Sequence, residues 1–83
     1  MNYVLVTVSG GIISEVFYHA GLLKALQALA GYVKTMHPEK NDAGVYSPEG
    51  LIANAKDFLD DNDQFIDNTE NIIGKVERRR HGR

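Results

Sequence analysis

Three histidines, His19, His37 and His81, and eleven carboxylates are the groups here that could move protons or hold a metal near neutral pH. The histidines are widely separated, none has a second ligand four residues away, and no HExxH pattern occurs. A zinc centre therefore has no sequence support. The chain has no cysteine, which removes thiol catalysis and thiolate metal sites. Glu15 lies four residues before His19, and on a strand that spacing puts both on one face. They could form a proton-transfer pair on an open sheet face, although a surface pair is the commoner meaning of such a spacing.

The acidic run from Asp57 to Asp67 invites a calcium reading. A loop starting at Asp61 has acids at its first, third and seventh positions, Asp61, Asp63 and Asp67. It then has Ile66 where glycine is needed and Ile72 where the bidentate glutamate belongs. The run reads as a solvated helix end or turn. Ser9-Gly10-Gly11 lacks the following lysine and the strand-to-helix context of a phosphate loop. Ser9, Ser14 and Ser47 have no nucleophile-elbow context. No catalytic, cofactor-binding or metal residue is assigned, and the protein is expected not to be an enzyme.

One charged cluster stands out. Residues 75–83 hold Lys75, Arg78, Arg79, Arg80 and Arg83 against Glu77, a net +4, whereas residues 1–74 hold four lysines against ten acids, a net −6. Clustered arginines could contact a polyanion. The acidic body and the lack of interleaved aromatics weigh against nucleic acid, and cations also offset the dipole at a helix C-terminus.

These groups must be positioned by elements legible from periodicity. Residues 3–8 and 12–18 are rich in β-branched and aromatic residues, and Gly10-Gly11 between them predicts a hairpin. Its register is open. A two-residue loop sets Val8 opposite Ile13 and Val6 opposite Glu15, whereas a three-residue loop sets Val6 opposite Val16 and Val4 opposite Tyr18. One residue of slip exchanges the faces of the second strand. The second pairing gives the cleaner core (Val4, Val6, Val8, Ile12, Val16) and is preferred. In either register Leu5 and its neighbours keep the other side apolar. Tyr3, Tyr18, Tyr32 and Tyr46 could gather at one sheet edge.

A helix is predicted from about Gly21 to Met36, with Leu22, Leu26, Leu29, Val33 and Met36 as one apolar stripe. Pro38 ends it, and Gly31 suggests tight packing against a strand. Ala43–Ser47 reads as a third strand, placed beside the first in the order 2-1-3 through a right-handed crossover. Ser47-Pro48-Glu49 reads as a helix start. Apolar pairs then recur every seven residues from Leu51-Ile52 to Ile72-Ile73. This fits either one helix from 48 to about 79 or two, 48–61 and 67–79, with Asp67 to Glu70 as a capping box. Asp60 to Asp63 favour the break.

The predicted architecture is therefore α+β: a small β-β-α-β-α domain, a three-stranded antiparallel sheet with helices on one face, and a C-terminal helical extension. Residues 1–63 form the compact domain, and 64–83 the extension with its basic tail. The element order is similar in outline to small split β-α-β modules, a likeness of fold that implies no function.

Eighty-three residues without a disulfide bury a marginal core, so self-association enters on size alone. Leu5, Phe17, Phe65, Ile66, Ile72, Ile73 and Val76 are the apolar candidates for a homodimer contact. The N-terminus lacks a basic leader and no apolar run reaches membrane-spanning length, so a soluble cytoplasmic protein without a membrane partner is expected. The leading expectation is a non-enzymatic homo-oligomeric interaction module. The alternatives are a nucleic-acid-associated regulator using the basic tail, and a small-ligand or enzymatic domain with a site around Glu15 and His19 on the open sheet face.

Overall fold

The computed structural model describes residues 2–9, 12–37 and 42–81, the side chains of Arg80 and His81 excepted. The first two strands are β1 (Tyr3–Ser9) and β2 (Ile12–His19), followed by helix α1 (Leu22–Met36) and strand β3 (Ala43–Ser47). A fourth strand, β4 (Gly50–Asn54), precedes a short 3-10 helix (Ala55–Phe58) and helix α2 (Thr69–His81). The class is α+β, with an antiparallel sheet in the order β2-β1-β3-β4.

The fourth strand corrects two expectations: the sheet does not have three strands, and no helix runs over 48–61 or continuously to 79. Ser47-Pro48-Glu49-Gly50 makes a tight β-hairpin connection instead, with Ser47 opposite Gly50. The Glu49 N–H donates to Ser47 Oγ at 3.1 Å, a bond that would also suit a helix start. Gly50 decides between the two. Its φ of 124° turns the chain back, a conformation that only glycine adopts at low cost. Serine first, proline second and glycine fourth is also the composition of a type I turn.

Both hairpin registers occur. Ser9 faces Ile12 and Val8 faces Ile13, as the short loop requires; beyond them Thr7 faces Glu15, Val6 faces Val16 and Val4 faces Tyr18. The irregularity between Thr7 and Val8 leaves Ser14 as an extra residue, and this bulge converts one register into the other. Gly10 and Gly11 themselves lie outside the described residues.

The core lies on the face opposite to the one preferred from sequence. Tyr3, Leu5 and Thr7 are buried, whereas Val4, Val6 and Val8 are half-buried and Ile12 and Val16 exposed. The reason is in the neighbouring strands. Ala43, Val45 and Ala53 share the face of Leu5 and Thr7, and their small side chains admit a helix closely. Ala25, Leu26, Leu29 and Val33 of α1 fill that space. Tyr46 stands on the other face. Gly31 has nothing within 4 Å of where a Cβ would be, so it does not mark a close approach to a strand. The C-cap of α1 is His37 in the left-handed region, and Pro38 lies outside the described residues.

The segment between the 3-10 helix and α2 is ordered by its acids. Asp60 Oδ1 accepts from the N–H groups of Asn62 and Gln64 at 2.8 and 2.9 Å. Leu59 then pairs with Phe65 across this turn. The N-cap of α2 is Asn68, whose carbonyl accepts from the Ile72 N–H at 3.1 Å. The expected capping box with Asp67 as the cap does not form: the cap falls one residue later, at Asn68, and the Asp67 carboxylate accepts from the Thr69 N–H instead. Ile72 joins the same core cluster as Leu26 and Phe58.

Candidate functional site

The helices cover β1 and β3 but leave β2 exposed as far as Tyr18. Every residue of β2 from Ile12 to Tyr18 is exposed, on both faces. Ile12 is 73% exposed, Ile13 63% and Tyr18 77%. Alternation explains why both sides are apolar. Val16 and Tyr18 continue the open face, where they oppose Val6 and Val4. Phe17 continues the helix-bearing face opposite Leu5, but beyond the reach of α1, and is 44% exposed.

The open face carries the apolar surface inward from β2. Val4 lies between Tyr18 on one side and Tyr46 on the other. Tyr46 is paired with Leu51, and the two close over Gly44, where an added Cβ would meet Leu51 Cδ1 at 3.2 Å and Tyr46 Cε1 at 3.3 Å. A side chain at position 44 would displace them. Two of the four tyrosines thus share this face, while Tyr3 is buried under the helices and Tyr32 is half-buried in α1.

Of the other residues singled out for self-association, Leu5, Ile72 and Val76 are buried within the protomer. Ile73 and Phe65 are half-buried against the core. Phe65 stacks on Phe58, with ring centroids 6.4 Å apart and planes at 13°, and the Lys34 ammonium sits 5.9 Å above its ring. Ile66, beside it, is exposed. Ile12, Ile13, Val16, Tyr18, Tyr46 and Leu51 are the other exposed large apolar residues of the sheet, and none stood among the self-association candidates. Alternation could have identified them once the covered face was known.

Glu15 and His19 do not lie on the open face, which corrects their expected position. They oppose Thr7 and Tyr3, and so share the helix-bearing face with Phe17 at its uncovered margin. Among the described residues, His19 Nε2 and Thr7 Oγ1 are buried without a hydrogen-bond partner. No group of three potential metal ligands occurs among the described residues.

Lys75, Arg78 and Arg79 are exposed on α2, and Arg79 lines a groove together with Val76. Arg79 and Glu49 line the same shallow groove of about 330 Å³, between the β3–β4 turn and α2. Arg83 and the side chain of Arg80 lie outside the described residues. Asp67 is held below the usual carboxylate range by hydrogen bonds from the Thr69 hydroxyl and N–H. No helix among the described residues is long and apolar enough to cross a membrane.

Comparison of the chain with protein-family models, with curated proteins and with solved structures finds no match.

Proposed function

We propose that this protein is a non-enzymatic interaction module that works as a homo-oligomer, most simply a homodimer, through β2 and the adjoining open sheet face. The observation that carries this reading is the uninterrupted exposure of β2. Natural edge strands are usually shortened, charged, interrupted by proline or covered. The other edge, β4, is only five residues long and has α2 packed near it. β2 has eight residues and no lysine or proline; its protections are the single charge of Glu15 and the Ser14 bulge, and five residues beyond the bulge stay regular and exposed up to Tyr18. A contiguous apolar surface of this kind is the usual mark of a contact site. The test is the solution mass at micromolar concentration: a dimer supports the reading, and a monomer throughout that range removes it.

A second reading rests on Lys75, Arg78 and Arg79, which are all exposed on α2. It makes the protein a nucleic-acid-associated regulator and predicts salt-sensitive binding that disappears when residues 75–83 are removed. No binding at low salt rules it out. The acidic remainder of the chain makes this the weaker reading.

A further inference from the structure

Strand alternation dictates which backbone groups of β2 are free. The Val8 N–H donates to the Asp42 carbonyl at 2.7 Å, so Val8 directs its backbone groups toward β3. Along β1, Val6 and Val4 do the same, while Thr7, Leu5 and Tyr3 address β2. Glu15, Phe17 and His19 return those bonds. The N–H and C=O of Val16 and Tyr18 therefore point away from the sheet, toward whatever pairs with the edge.

We infer that the partner of this edge is β2 of a second copy, antiparallel about a two-fold axis at Phe17. This deepens the homo-oligomer reading and rests on it. Three two-fold registers near the strand centre let outward groups meet outward groups. Centring on Val16 sets Glu15 against Phe17 of the second copy, and centring on Tyr18 sets Phe17 against His19. Only centring on Phe17 sets each Glu15 carboxylate opposite a His19 imidazole. Val16 then exchanges backbone hydrogen bonds with Tyr18 of the second copy, and the two Phe17 rings meet between the Glu15–His19 pairs. A carboxylate facing an imidazole and an aromatic cross-strand pair both favour this arrangement. The Ser14 bulge limits regular pairing to residues 15–19. The result is one eight-stranded sheet whose open faces run together across the axis.

The chain has no cysteine, so single-cysteine variants report the register directly. In an antiparallel pair the Cα atoms lie about 4.5 Å apart at a non-hydrogen-bonded position such as Phe17 and about 5.5 Å apart at a hydrogen-bonded one such as Val16 with Tyr18, both within disulfide range. Phe17→Cys is expected to cross-link to itself under mild oxidation. Val16→Cys and Tyr18→Cys alone should cross-link poorly, but an equimolar mixture of the two should give the mixed disulfide. The mixture also serves if Phe17→Cys folds badly, since both its positions are exposed. A dimer by mass in which the mixture gives no mixed disulfide, or in which Val16→Cys links efficiently to itself, overturns this register and leaves the homo-oligomer reading standing. A monomeric wild-type chain overturns both.

Discussion

Leu5 and Phe17 face each other across the β1–β2 ladder on the same side of the sheet, yet Leu5 is 3% exposed and Phe17 44%. The boundary of the helix layer runs between them. On one side of it lies the core of the protomer, and on the other an overhanging strand that this chain alone does not cover.

The pair should therefore separate by mutation. Leu5→Ala removes a buried side chain beneath α1 and is expected to cost about 2–5 kcal/mol. Phe17→Ala, measured at dilution, should cost about 1 kcal/mol, because much of its area is already in water. Urea unfolding of both variants is the measurement, and equal losses would place the edge of the helix layer elsewhere.

Gly50 reports on the segment where sequence and structure differ most. In the β3–β4 turn its φ of 124° makes Gly50→Ala destabilising by about 1–3 kcal/mol. In a helix the same change would stabilise by about 1 kcal/mol. The sign of the shift in unfolding midpoint thus distinguishes hairpin from helix.

The misreading there has a physical origin. Serine, proline and an acid suit the start of a helix and the start of a turn alike, and the Ser47 Oγ bond to the Glu49 N–H serves both. Only the conformation of Gly50 and the pairing of Val45 with Ala53 separate them, and the second is a long-range fact. The hairpin, α1 and a helix beginning near position 67 were legible because turn glycines, a 3–4 spacing and clustered Asx residues are local signals. The covered face was not, since it depends on Ala43, Val45 and Ala53 lying beside Leu5. The exposure of β2 followed from that same missing information, so Leu5 stood among the contact candidates while Tyr18 and Ile13 did not.

Thr7 carries a buried hydroxyl without a partner. Thr7→Val keeps the branched shape and removes the unsatisfied group, so a gain of about 1 kcal/mol is expected. Thermal or urea unfolding measures it. A loss of similar size would mean that the hydroxyl is hydrogen-bonded in solution.

Asp67 gives the N-terminus of α2 a pH dependence. Its carboxyl titrates below the ordinary value of 3.8 in the folded chain because Thr69 donates to it. The charged form is thus the one favoured by folding. Its contribution is complete above about 3.8 and is lost as pH falls through the lowered folded value. The stability excess of wild type over Asp67→Ala should be constant near neutrality and shrink in acid. An excess that persists unchanged below that range would contradict the assignment.

The central claim is that β2 is an interface between copies, and its most direct test is the solution mass of wild type beside Val16→Pro. The Val16 N–H points away from β1, so proline there leaves the β1–β2 ladder intact and blocks the edge. The wild-type chain should run at twice the protomer mass of 9.2 kDa, and Val16→Pro at 9.2 kDa with an unchanged far-ultraviolet circular dichroism spectrum. A wild-type mass of 9.2 kDa throughout the micromolar range, or a folded Val16→Pro variant that remains dimeric, would contradict it.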